Sequence, residues 1–241
     1  GQGSQYAGML EDLRADFPVV EATFAEADAA VADLFPKPLT AYMNPEVLGA
    51  SADRKSAEEA LRQTQITQPA MVAADVAILR LLTQFGVRPD VVGGHSLGEY
   101  AAAVAAGVMS FATGLRTVAA RGDAMAGANP GDAGLMAAMT ASAEVVQAVL
   151  DTVDGYVVCA NKNCQTQTVI AGSTAGVEEA LAKLAAAGVD GFLIPVSHAF
   201  HSRIVSGACA PLGAHLKRQE ISSPTVPIIT NVTAGYYPTD P

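Results

Sequence analysis

Apolar positions along the chain follow two different rhythms. From residue 7 to 34, Leu, Val, Phe and Ala recur at helical spacing, predicting two helical stretches broken at Phe17-Pro18. Residues 35–52 lose that rhythm and carry Pro36, Pro38, Pro45 and Gly49, predicting irregular chain. Ser56-Ala57-Glu58-Glu59 matches a capping box, in which hydroxyl and carboxylate satisfy each other's orphan backbone donors. A long helix is then predicted from Thr67 to Phe85, with Pro69 in its first turn and Gly86 just past its end. A short β-branched run, Asp90-Val91-Val92-Gly93, leads straight into Gly94-His95-Ser96. A small-residue helix follows from Leu97 to Ala106 and stops at Gly107, and Ser110 opens another that carries Arg121. Helix, strand, sharp turn, helix is the order of an α/β fold with a mostly parallel sheet.

From Gly134 the pattern shifts toward period two. Strands are predicted at 135–140, 156–160, 166–171 and 192–196, with helices at 143–150 and 177–187. That β-α-β-β-α-β order is the ferredoxin-like pattern. It predicts a small subdomain, 132–196, inserted between the two parts of a large one, 1–131 and 197–241. The tail returns to helix and ends in a β-branched run, Val226–Val232.

Composition narrows the class. Of 241 residues half are apolar and 16% charged, enough to bury a sizeable core in one large domain or a domain with an insert. No uninterrupted apolar run reaches the roughly 18 residues that cross a bilayer, so a soluble protein without a membrane partner is expected. Gly1 is followed by no basic-then-apolar leader, and a start without Met reads as a piece of a longer protein. Cys159, Cys164 and Cys209 form no CxxC pair, which disfavours a disulfide framework or zinc knuckle and fits a reducing cytoplasm. The net charge of −10 argues against nucleic-acid and anionic-membrane partners.

The candidate chemistry centres on Gly94-His95-Ser96-Leu97-Gly98. Gly-x-Ser-x-Gly between a strand and a helix is the signature of a nucleophile elbow: glycines fit where a strained turn leaves no room for Cβ, and helix amides face the developing oxyanion. An ordinary turn with an N-cap serine is the bland alternative, and the flanking strand and helix weigh against it. A serine hydroxyl needs a base. Of four histidines, His95 is expected to pack beneath the turn and His215 to lie on a helix surface. That leaves His198 and His201, in Ser197-His198-Ala199-Phe200-His201-Ser202 after the last predicted strand of the insert.

Several separate blocks together resemble the malonyl-CoA:acyl carrier protein acyltransferase family, both its free-standing enzymes and its domains in polyketide and polyunsaturated fatty-acid synthases. They are Gly1-Gln2-Gly3-Ser4-Gln5, Gln68-Pro69-Ala70, Gly94 to Tyr100, Arg121-Gly122 with Asn161-Lys162-Asn163, and His198 to Ser202. The resemblance implies an α/β-hydrolase-like core with an inserted ferredoxin-like subdomain. It implies that Ser96 is acylated, that His201 is its base, and that the backbone N–H groups of Gln2 and Leu97 form the oxyanion hole. It implies that Arg121 pairs with the malonyl carboxylate, a role suited to a planar guanidinium. Gln68, His198, Phe200 and Asn161 are implied as substrate-pocket residues.

His-Ala-Phe-His with Leu97 resembles the malonyl-selective version, in which Phe200 takes the volume an α-methyl branch needs; one methyl is worth only about 1–3 kcal/mol. The implied partners are malonyl-CoA and a phosphopantetheinylated acyl carrier protein, with flanking synthase domains a further option. No cofactor and no metal are implied. Arg203, Lys217 and Arg218 are candidates for a local basic patch toward an acidic carrier. Against the family pattern both ends look cut, and no acidic third member of a triad is expected. A serine esterase on the same elbow is the rival reading, and Arg121 is the residue that separates the two.

Overall fold

The computed structural model describes residues 3–44, 54–128 and 131–238. The chain forms two compact units, Gly1–Asp123 with Leu212–Pro241 and Ala124–Pro211.

The first unit opens with α1 (Glu11–Asp16) and α2 (Pro18–Ala30). They part at Phe17, which is extended because it precedes a proline. α3 (Leu39–Met43) is wholly buried and falls within the stretch expected to be irregular; the rest of that expectation, from residue 45, lies outside the described residues. α4 (Arg54–Leu61) begins two residues before Ser56, so the expected capping box is inside a helix rather than at its start.

α5 (Thr64–Gln84) also starts earlier than expected, which puts Pro69 inside the helix, where it cannot donate to the Gln65 carbonyl. By length and composition α5 is apolar enough to span a membrane even though polar residues interrupt it, but two-thirds of its most apolar window is buried. Its Ile66, Ala70, Ala73, Val76 and Leu81 pack with Val20, Phe24 and Ala27 of α2 in the main core. β1 (Val92–Gly93), α6 (Gly98–Ala105) and α7 (Phe111–Gly127) follow. Of the expected strand 226–232 only Ile228–Ile229 pairs; call it β6, parallel to β1 in the register Val92↔Ile228 and Gly93↔Ile229.

The chain enters the second unit within α7 and leaves it within α10 (Cys209–Leu216). Between them run β2 (Leu135–Met139), α8 (Ala143–Leu150), β3 (Val157–Cys164), β4 (Gln167–Gly172), α9 (Thr174–Ala186) and β5 (Gly191–Leu193), then a 3₁₀ turn at Arg203–Ala208. The four strands form an antiparallel sheet in the order β3-β4-β2-β5.

Alternation along β2 decides both faces. Ala137 and Met139 join Ile170, Val146, Leu150, Val177 and Leu184 beneath the two helices. Met136 and Ala138 join Val169 and Ala171 on the other face, under Met125, Ala199, Phe200 and Val205. Those last residues lie outside 132–196, and their packing is why the compact unit reaches further at both ends than the predicted insert. Ser142 and Ser173 cap α8 and α9 through their hydroxyls. Asp132 accepts from Gly134 N and from the N–H and hydroxyl of Thr174, 2.7–2.9 Å away, and these bonds hold its carboxyl below the usual range.

Candidate active site

β1 delivers the chain to a turn whose apex is Ser96, with φ of 53°. That is left-handed backbone, which a non-glycine residue adopts only under surrounding constraint. The turn is tight at its entry: a Cβ on Gly94 would overlap the Gly98 carbonyl. At Gly98 itself a Cβ would meet nothing within 4 Å, so the expectation that both motif glycines answer a steric demand holds only for Gly94. Leu97 is buried at the N-cap of α6, where a backbone N–H has no intrahelical acceptor. Gln2 lies outside the described residues.

Three hydrogen bonds from one residue fasten this turn. Asn231 Oδ1 accepts from the Ser96 N–H at 2.7 Å and its Nδ2 donates to the Gly94 carbonyl at 2.6 Å. Its own N–H donates to Glu99 Oε1 at 2.7 Å. Sequence reasoning assigned Asn231 to a strand and Glu99 to a motif without a role; the two are 132 residues apart, and no local signal marks the pair. His95 is exposed rather than packed beneath the turn. It lines a cavity of about 450 Å³ with Asp75, whose carboxyl is pushed up by burial.

Arg121 is buried, with 9% of its surface exposed, so the reading of an arginine before glycine as a solvated helix-end charge does not hold here. Gly122 explains the position: a Cβ there would sit 2.5 Å from Gln65 Cα, so its absence lets α7 lie against the first turn of α5. That approach sets Arg121 Nη1 2.7 Å from Gln68 Oε1. Gln68 is fully buried and donates through Nε2 to Thr64 Oγ1 at 2.8 Å. The guanidinium also lies 5.7 Å from the centre of the Tyr100 ring.

Burial lowers the Arg121 pKa, partly offset by Tyr100 and Glu99, and raises that of Tyr100. Its hydrogen-bond partner is a neutral amide, and among the described residues no carboxylate forms an ion pair with it. Gln68 engages one of the guanidinium's five N–H donors, and a buried cation of this kind favours an anionic partner.

In the second unit, His198, Phe200 and His201 share one turn. His201 is exposed and, like Ser96, has left-handed backbone, φ 57°. The turn is held by Ala199, whose N–H donates to Ala133 O, and by Ser202, whose hydroxyl donates to Ala199 O at 2.6 Å and accepts from Ile204 N. Phe200 is buried in the core beneath the sheet. His198 is half-buried, with Nδ1 3.1 Å from Ser197 Oγ and its ring 6.0 Å from that of Phe200. Asn161 sits on β3 opposite Val169, where the ladder is irregular after Cys159.

Arg203 stacks on Tyr156 at 3.8 Å. His215 is half-buried rather than superficial, 3.3 Å from Thr117 Oγ1, and burial lowers its pKa. Ser96, Leu97, Gln68 and Arg121 thus belong to the first unit, where Gln68 and Arg121 meet, and His198, Phe200, His201 and Asn161 belong to the second.

The acyl transferase domain family matches residues 1–237. This chain is an acyl transferase family member. Over 238 residues it is 41% identical to the malonyl CoA-acyl carrier protein transacylase of Escherichia coli K12, covering 96% of this chain and 72% of the relative. The malonyl CoA-acyl carrier protein transacylase of Coxiella burnetii superposes with a TM-score of 0.88 at 36% identity, over 98% of this chain and 72% of that one. A malonyl-transacylase solved in complex with its type II polyketide synthase acyl-carrier protein gives 0.87 at 36%, over 98% and 74%.

Proposed function

We propose that this acyl transferase moves a malonyl group from malonyl-CoA to the phosphopantetheine thiol of an acyl carrier protein through a malonyl-Ser96 ester. The observation that carries the reading is Arg121, a buried guanidinium whose hydrogen-bond partner is neutral. A pocket for uncharged esters has no use for it, whereas the free carboxylate of a malonyl group neutralises it with two parallel hydrogen bonds. The relatives named above act on malonyl-CoA and acyl carrier protein, and one was solved with its carrier bound.

In the first half-reaction Ser96 Oγ attacks the thioester carbonyl while His201 takes its proton. The carbon–sulfur bond breaks and His201 returns the proton to the departing CoA thiolate. In the second half the pantetheine thiol gives its proton to His201 and attacks the ester, and Ser96 recovers the proton as it leaves. The backbone N–H groups of Leu97 and Gln2 hold the oxyanion in both halves. Gln68 orients Arg121, while His198, Phe200 and Asn161 border the acyl pocket, with Phe200 favouring malonyl over branched extenders. One thioester becomes another, so no redox or metal cofactor is called for.

The finer architecture we read as an α/β-hydrolase-like large subdomain, 1–131 and 197–241, with a ferredoxin-like one, 132–196. The strand order β3-β4-β2-β5 supports the latter. Three free thiols support a reducing, cytoplasmic setting. Incubation with labelled malonyl-CoA followed by peptide mapping tests the function. Label is expected on the Ser96 peptide and absent in Ser96→Ala; label that survives the substitution overturns the reading.

A further inference from the structure

We propose that Asn231 is a positioning residue for the nucleophile, acting on the peptide groups around Ser96 rather than on its hydroxyl. The inference rests on Ser96 being the nucleophile. Left-handed backbone at Ser96 is unfavourable for a residue with a Cβ and must be imposed from outside the turn. The side-chain amide of Asn231 does this from both sides, accepting from the Ser96 N–H and donating to the Gly94 carbonyl. A carboxylate offers no donor, and an aliphatic chain offers neither function.

The clamp is itself anchored. The Asn231 N–H is held by Glu99 in the first turn of α6, and the segment before it is tied to β1 through Ile228 and Ile229. Entry, apex and exit of the elbow are thus fixed to one residue. The Ser96 N–H is consumed by this contact, so oxyanion stabilisation falls to other amides, which suits the position of Leu97 at the head of α6. Misplacing a reacting atom by about 1 Å costs on the order of 100-fold in rate.

The test is single-turnover acylation of Ser96 in the purified protein, read with labelled malonyl-CoA and, separately, with a fluorophosphonate probe that reports serine nucleophilicity whatever the acyl group. Asn231→Ala is expected to slow labelling by about 10- to 100-fold at saturating reagent, with the KM for malonyl-CoA within about twofold. Thr225→Val serves as the stability control. It removes a hydroxyl bond from the same segment to the Ala106 carbonyl, and is expected to lower the melting temperature while labelling at the unsubstituted rate.

If the alanine variant does not fold, Asn231→Asp keeps the shape and the acceptor, loses the donor to Gly94, and carries the same expectation of slower labelling at unchanged KM. Unchanged labelling, a loss confined to KM, or an equal loss in Thr225→Val overturns the proposal. Fluorophosphonate labelling of Ser96 without malonyl labelling would sink the substrate reading alone, and Asn231 would then be judged on the probe's rates. If neither reagent labels Ser96, the role of Asn231 falls with it.

Discussion

In the second unit β3 and β4 are consecutive and antiparallel, and α8 and α9 each begin at a serine cap. The first unit holds its elbow and its arginine by distant partners. Ser96 meets Asn231 across 135 residues, and Arg121 meets Gln68 across 53. In one unit the polar contacts cap helices and close turns, some of them across the unit, as Asp132 does with Thr174. In the other they fix the few groups whose conformation or burial the chain would not otherwise tolerate. The difference teaches where damage should appear: substitutions at the long-range contacts that hold Ser96 and Arg121 should reach the chemistry, and those in the core beneath α8 and α9 should reach stability.

Arg121→Ala should break that comparison most severely. Removing the cation from a buried charge pair costs roughly 2–5 kcal/mol, so malonyl loading should fall by about 30-fold to several thousand-fold while turnover of an uncharged acetyl ester persists. Parallel loading assays with labelled malonyl- and acetyl-CoA check this, and undiminished malonyl loading would remove Arg121 from its role. Arg121→Lys should not restore loading, because a point charge lacks the bidentate fork.

Leu184→Ala sharpens the other side. Leu184 is fully buried under the second unit's sheet, and its truncation should cost about 2–5 kcal/mol in urea unfolding. The ratio of malonyl to acetyl loading should stay unchanged; a shifted ratio would blur the division of labour.

Asp132→Asn should have the smallest effect and a definite sign. Its native pKa is depressed by the Thr174 and Gly134 bonds. It therefore contributes stability above the usual carboxylate range, and loses it as pH falls through the native value. Acidification from neutral pH should weaken the unsubstituted protein more than the asparagine variant, as read from denaturant midpoints. The side chain is solvent-exposed, so the difference should be slight.

The same contrast governs what was legible in the sequence. The second unit's elements could be read because alternation, caps and turns are local: α8 was expected at 143–150 and runs from Ala143 to Leu150. The elbow could be read as strand, turn and helix for the same reason. Asn231 could not, since one asparagine in a β-branched run says nothing of a partner 135 residues away. The burial of Arg121 was hidden as well, because it depends on Gly122 meeting the backbone of Gln65 on another helix. Pro69 misled the placement of the start of α5: proline favours a first turn, but packing carried the helix back to Thr64.

Ser96 and His201 are two of only four non-glycine residues with left-handed backbone among the described residues. A population drifting under selection for foldability alone would replace both with glycine, which pays least for that geometry. On the proposed mechanism the side chains at these two positions serve turnover, a pressure blind to melting temperature. On that mechanism, a directed-evolution campaign that screens this acyl transferase only for thermostability would tend to erase its chemistry at these two positions first.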